Sequence, residues 1–402
     1  MSSAAGSVAG VSIDELEKTS AGIDRGADVQ EVHVEEHSSR RYTLEKFLKT
    51  SIKLGASDIH LQTGSTPMMR IDGRARFLDV DEMENDLMEQ YVKQLVTEEE
   101  KIKNLHELGS CDTSYALPDG TARFRVATFH SRGELAIVMR RIVTKIPNFE
   151  DLNLPSQIEN LSDVHRGLIL VSGTTGSGKS TSLAAVIGKI NRTRNERIIT
   201  VEDPIEFQHE DKKSLVSQVE VGSDTESYGH ALRAAMRQDP DVLLVGEIRD
   251  TFSLSTALRA ADTGHLVFTT VHATNAPMTI ERVVSLFDPN QRELMQTQLA
   301  TNLVSVVCQR LAKRRDGKGR VPVVEIMQAT PLVRKYILEG EFEKLKGTVG
   351  NKEAGSQSFD QHLTELFQKQ IIDVNEAKRL ASNVDALNMA LRGIGNSDTR
   401  LR

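Results

Sequence analysis

The sequence predicts an α/β protein: a mostly parallel sheet flanked by helices, preceded by a smaller α+β domain. Three observations predict it. From Gly167 onward, short apolar runs at Leu168–Val171, Ile198–Val201, Val242–Val245 and Leu266–Val271 alternate with helical patterns. Buried strands alternating with helices make a parallel sheet covered on both faces. The first of these runs breaks directly into a glycine-rich loop that opens a helix. Before residue 145 the chain alternates with period two instead, the mark of half-buried antiparallel strands.

The elements follow in order. Residues 1–41 are rich in Ser, Gly, Asp and Glu, bury little, and read as a disordered tail. A first domain spans 42–145. It opens with a helix carrying Leu44, Phe47, Leu48 and Ile52 at helical spacing, with Gly55 as its cap. Alternating strands follow, with turns at Gly64–Pro67 and Asp72–Gly73; "TARFRVATFH" and "LAIVMRRIV" are expected to be neighbouring strands. Residues 146–165, with two prolines, read as a linker with a short helix. The domain of alternating strands and helices spans 166–330. Helices are expected after "ERVVSLF", and 331–402 reads as a C-terminal helical region. There, Phe359, Leu363, Leu366 and Phe367 share one helix face, and Asp373 with Glu376 has capping-box spacing.

Composition narrows the function classes. A chain of 402 residues is long enough for two or three domains. A net charge of −7 and the absence of Trp argue against a nucleic-acid binder. Cys111 and Cys308 lie far apart, so neither a zinc module nor a disulfide framework is signalled. No apolar run approaches the roughly 20 residues of a membrane span, and the N-terminus lacks a secretory pattern. A cytoplasmic location is expected.

The loop Gly173, Thr174, Thr175, Gly176, Ser177, Gly178, Lys179, Ser180 fits G-x-x-x-x-G-K-S/T and runs into Thr181. Its glycines let backbone N–H groups turn inward around phosphate oxygens. Lys179 is placed to reach the outer phosphates and Ser180 to ligate Mg²⁺. Each of the other strands also ends in polar residues: Glu202, Asp203 and Glu206; Glu247 and Arg249; His272. Ligands of open parallel sheets bind outside the carboxyl ends of the strands, so these groups converge on one nucleotide. Glu247 is the first choice to polarise the attacking water and Glu202 the second. Asp203 and Glu206 are candidates to hold Mg²⁺ through water, and His272 to read the γ-phosphate. Gly246 stands where P-loop proteins commonly place an Asp. In the first domain, Arg123, Arg125, Arg132, Arg140 and Arg141 form a basic group that could meet a nucleotide held elsewhere.

Taken together, "GASDIHL", "GTTGSGKST", "TVEDPIEF", "RQDPDVLLVGEIRD" and "TGHLVFTTVHATNA" occur in the order found in type IV pilus retraction ATPases. The chain resembles this PilT/PilU branch of the type II/IV secretion ATPases from about residue 42 to about 390. "RRIVTKIPNFEDLNLP", "TSLAAVIG", "DGKGR" and "SFDQHL" resemble its PilU-like members. The resemblance implies a PAS-like N-terminal domain, a RecA-like ATPase domain, and a homo-hexameric ring. That ring would sit peripherally at the inner membrane at the pilus base, beside a platform protein and a sister ATPase. It implies ATP and Mg²⁺ as cofactors, an Asp box at Glu202–Glu206, a Walker B motif at Val242–Glu247 and a His box at His265–His272. Two arginines acting on a neighbouring subunit's nucleotide fall on Arg125 and Arg140, with Arg132 a third candidate. Members that retract pili alone carry an "AIRNLIRE" helix; here "PLVRKYILE" stands in its place. Two readings follow: a hexameric ATPase motor that drives or assists pilus retraction, or a nucleotide-binding adaptor that couples a sister motor to the pilus. A DNA translocase is disfavoured by the charge and the few aromatics. An assembly ATPase with a four-cysteine zinc insertion is disfavoured by the cysteine count.

Overall fold

The computed structural model describes residues 43–71, 74–142, 146–317 and 319–392. The expected tail at 1–41 lies outside them. The chain divides into two compact units, Met1–Val143 and Thr144–Arg402.

In the first unit, Thr43 caps the helix Leu44–Lys53, its hydroxyl accepting from the Lys46 N–H, and Gly55 follows the helix at φ +70°. Six strands form an antiparallel sheet: β1 Ala56–Gln62, β2 Met68–Ile71, β3 Arg74–Phe77, β4 Ser110–Ala116, β5 Arg123–Ser131 and β6 Glu134–Ile142. Their order is β3-β2-β1-β6-β5-β4, so the two segments expected to be neighbours are paired as β5 and β6. Their turn, Arg132–Gly133, has positive φ at both residues, as a tight hairpin of this twist requires. Helices Asn85–Leu95 and Glu99–Leu108 complete the unit. Its core joins Phe47 and Leu48 to Ile59, Met69, Tyr91 and Phe124.

The second unit holds seven strands: β7 Gly167–Ser172, β8 Arg197–Glu202, β9 Leu215–Glu220, β10 Val242–Glu247, β11 Leu266–Val271, β12 Leu303–Lys313 and β13 Arg320–Gln328. Their order is β13-β12-β7-β11-β10-β8-β9, and every pairing is parallel except β12 with β13. Alternate residues serve opposite faces. Leu168 and Leu170 pack among the helices Tyr228–Ala235, Thr251–Asp262 and Ala276–Ser285. Ile169 and Val171 meet Leu183, Val186 and Ile187 of the helix Lys179–Thr193. Phe149, Ile158 and Leu161, from the stretch expected to be a linker, are buried in that second layer.

One expectation needs correction. The run after "ERVVSLF" is not helical throughout: helix Arg292–Asn302 gives way to the β12–β13 hairpin. β12 is paired on both edges and buried over most of its length, so no alternation marks it as a strand. Pro322 sits in β13, an edge strand, where the missing N–H is tolerated. Beyond it, helices Pro331–Leu338, Phe359–Gln368, Val374–Leu380 and Val384–Leu391 form the C-terminal region. Half of the expected capping box is present: Asp373 accepts from Glu376 N–H at 2.8 Å. The Glu376 carboxylate instead accepts from Lys313 N–H at 2.6 Å and pairs with Arg379, tying this helix to β12.

Candidate functional site

Four parallel strands, β7, β8, β10 and β11, end at one edge of the sheet, and their C-terminal residues build the site. After β7 the chain turns through Gly173 at φ +147°, Gly176 at φ +74° and Gly178 at φ +88° before entering helix Lys179–Thr193. These backbone angles exclude most side chains and leave successive N–H groups free to line an anion site. The Lys179 ammonium folds back onto the carbonyls of Gly173 and Thr174, at 3.0 and 3.3 Å. Burial lowers its pKa, and the nearby carboxylates of Glu247 and Glu206 oppose that shift. The cation therefore stands inside the loop that would enclose phosphates. The positive φ glycines, the interior cation and the helix N-terminus fit a nucleotide's phosphate chain.

Glu247, the last residue of β10, faces His272 just beyond β11. His272 Nε2 lies 3.2 Å from Glu247 Oε1, and Arg249 holds Oε2 at 2.7 Å. Burial pushes this carboxyl upward, but the bond from Arg249 and the charge of His272 more than offset it and hold it below the usual carboxylate range. Glu247 is thus an anion across physiological pH, suited to polarise water. Glu202, at the end of β8, differs. Its Oε1 accepts from Thr200 Oγ1 at 2.7 Å and Gln218 Nε2 at 3.2 Å, yet burial dominates and pushes it up to about 6. Ser180, Glu202, Gly246 and Thr270 line one small pocket of about 30 Å³. Asp203 and Glu206 are exposed on the turn that follows β8 and do not line that pocket.

The missing Asp of the β10 motif has a steric reason. A Cβ on Gly246 would meet the Tyr228 hydroxyl at 2.9 Å and the Val201 carbonyl at 3.2 Å. Tyr228 was not legible as a site residue. Burial and the charge of Asp203 raise its pKa, so it stays a neutral hydroxyl among Asp203, Arg249, Glu247 and Glu202.

The buried Glu202 makes stability depend on pH. Its proton is held more tightly in the folded state, at about 6 against an ordinary 4.5. Its contribution is therefore fully present below about 4.5 and is lost as pH rises through about 6, a cost on the order of 2 kcal/mol when the group is charged. Glu202→Gln removes the charge. Its melting temperature should rise relative to the wild type as pH goes from 5 to 8. Parallel melting curves across that range would contradict the buried-carboxyl account.

The arginines lie in the first unit. Arg140 of β6 stands directly across from Arg125 of β5 and from Asp58 of β1, so the three share one cross-strand row. Asp58 is nearly buried and accepts from Arg140 Nε at 2.7 Å and from the Ser57 hydroxyl at 2.8 Å. Burial raises the Asp58 pKa, but the Arg140 and Ser57 hydrogen bonds outweigh this and lower it. The Arg140 side chain is still 73% exposed, so its guanidinium is aimed rather than consumed. Arg125 lies 3.9 Å from Asp112. Arg132 is not with them: it occupies the β5–β6 turn, seven residues along the strand from Arg125, and its positive φ gives it a turn role.

The comparisons with known proteins decide what this arrangement belongs to. The model of the family described as "Type II/IV secretion system protein" matches residues 33–357. The chain belongs to the type II/IV secretion system protein family. It is an ATPase of that family, with a PilT-like fold. The type IV pilus retraction ATPase PilT of Pseudomonas aeruginosa is 40% identical over 339 residues, 84% of this chain and 98% of PilT. The type IV pilus ATPase PilU of the same organism is 36% identical over 355 residues, 88% of this chain and 92% of PilU. A crystal structure of the pilus retraction motor PilT with bound ADP has a TM-score of 0.79 and 39% identity, covering 86% of this chain and 99% of that one. The chain is thus a homologue of PilT and PilU, and these identities do not single out PilU. No described helix is long and apolar enough to cross a membrane.

Two further groups of this secretion ATPase escaped the sequence reading. Glu325 of β13, 6% exposed, accepts the Ala276 N–H at 2.8 Å and also that of Phe359. It therefore caps two helices, Ala276–Ser285 and Phe359–Gln368, at once. Arg310 of β12 stacks over the Phe359 ring at 3.8 Å and donates to the carbonyls of Leu380 at 2.6 Å and Thr274 at 3.3 Å. Thr274 lies two residues past His272. Neither group follows a motif; both are defined by partners distant in sequence.

Proposed function

We propose that this chain is the subunit of a homo-hexameric motor that hydrolyses ATP to drive or assist type IV pilus retraction, from the cytoplasmic side of the inner membrane. The observation that carries this is the convergence of Lys179, Ser180, Glu202, Glu247 and His272 at one sheet edge, in a chain 40% identical to a pilus retraction ATPase over 98% of that protein. In this reading the N–H groups from Gly173 to Thr181 and the Lys179 ammonium hold the phosphates. Ser180, with Asp203 and Glu206 through water, would hold Mg²⁺, which would supply charge neutralisation at the transferred phosphoryl group. Glu247 takes the proton of the attacking water, and His272, hydrogen-bonded to Glu247, senses the γ-phosphate. Glu202, neutral below about pH 6, shapes the water pocket beside Ser180. Arg140, aimed by Asp58, and Arg125 beside it act on a nucleotide held by a neighbouring subunit.

A second reading, an adaptor that couples a sister ATPase to the pilus, rests on the "PLVRKYILE" helix and on the PilU-like segments. In that helix Arg334 is drawn into donating to the carbonyls of Ala300, Thr301 and Leu303, where it closes the preceding helix. ATP turnover by the purified protein alone, together with pilus retraction in cells lacking the sister ATPase, separates the readings. The motor reading expects turnover without the sister. Nucleotide binding without turnover would give the adaptor.

A further inference from the structure

Gln309 lies in β12, one residue past the last β12–β7 pair, Cys308 with Ser172. At this point β12 passes directly behind the phosphate loop. The Gln309 side chain is 1% exposed, and both ends of its amide are engaged. Nε2 donates to the Ser177 carbonyl at 2.9 Å, and Oε1 accepts from the Ser182 hydroxyl at 2.8 Å. The amide orientation is fixed by chemistry, because a carbonyl can only accept. Two glycines of the loop close against the same residue. A Cβ on Gly173 would collide with the Gln309 backbone carbonyl, and one on Gly178 would lie 2.8 Å from Gln309 Nε2.

We infer that Gln309 is a positioning residue for ATP, which sets the direction of the Gly178 N–H. Ser177 C=O and Gly178 N–H belong to one trans peptide plane, and in such a plane they point opposite ways. Gln309 draws the carbonyl toward β12 and so turns the N–H into the loop, where phosphate oxygens bind. The bond to Ser182, in the first turn of helix Lys179–Thr193, keeps the amide from rotating and holds the helix end in register with the loop. The glycines at 173 and 178 thus have two jobs: their φ values make the turn, and their bare Cα atoms admit this strand and its amide.

The test is Gln309→Met, which keeps the volume and removes both bonds. A donor lost at the loop weakens ground state and transition state alike. KM for ATP, and the Kd for ADP measured by direct binding, should therefore rise about tenfold while kcat stays within about threefold. A purely structural role would lower the melting temperature and leave KM at the wild-type value; that result in folded Gln309→Met protein overturns the assignment. Ser182→Ala is the milder companion. It frees the amide to rotate without emptying the site, so KM should rise about threefold with kcat unchanged. Should Gln309→Met fail to fold, an unchanged KM in Ser182→Ala overturns the assignment by itself.

Discussion

Arg140→Ala protein is expected to bind ATP normally and to hydrolyse it about 10³–10⁵ times more slowly, the range over which an arginine on developing γ-phosphate charge acts. Arg140 belongs to a unit whose described residues hold no phosphate loop, yet its guanidinium is exposed and braced by a nearly buried carboxylate. A guanidinium that is braced by Asp58 and still largely exposed fits an action on another subunit's nucleotide. Mixing decides it. In the proposed hexamer, assemblies of Glu247→Gln or of Arg140→Ala protein should each be nearly inactive alone. Co-assembled, some interfaces join Arg140 of one variant to Glu247 of the other, and those are whole. Partial return of turnover is expected, with co-assembly established by mass. No recovery in mixed rings, at every mixing ratio, would place the arginine's action within its own chain. Wild-type turnover by Arg140→Ala rings would remove the role altogether.

Glu247→Gln should likewise bind ATP and cleave it about 10²–10⁴ times more slowly. The amide keeps the shape and can still hold His272, but it cannot take a proton from water. Single-turnover measurements should show the loss in the chemical step, with the Kd for ATP within a few-fold of wild type. Glu202→Gln is expected to keep most of its turnover. If instead Glu202→Gln is dead and Glu247→Gln active, the two carboxylates exchange roles. Their environments already differ: Arg249 and His272 keep Glu247 ionised, whereas burial pushes Glu202 up to about 6.

The placement of the candidate site was legible at the strand ends, because glycine spacing and terminal polar residues are local signals. Lys179, Glu247 and His272 could be assembled from the parallel-sheet rule alone. The β12–β13 hairpin was not legible. A strand buried on both faces reads as a continuous apolar run, and period two is absent. With it went Gln309, Arg310 and Glu325, whose meaning lies in partners from 34 to 132 residues away. Asp58 was visible within "GASDIHL", but its role depends on the β1–β6 register that brings Arg140 opposite it. Tyr228 needed the three-dimensional fact that Gly246 has no room for a side chain.

Glu325 has a mechanical consequence. One carboxylate grips the starts of two helices, and the positive ends of both helix dipoles repel each other in its absence. Burial raises the Glu325 pKa, and protonation of this one carboxyl would weaken both caps at once. Arg310 adds a second fastening a short distance away, from the Thr274 carbonyl to the Leu380 carbonyl. Through Arg310 the helix Val374–Leu380 is thus joined to the loop that carries His272. Such a linkage works in both directions. If His272 reads the γ-phosphate as proposed, a shift of that residue would bear on the C-terminal helices, and a shift of those helices on His272.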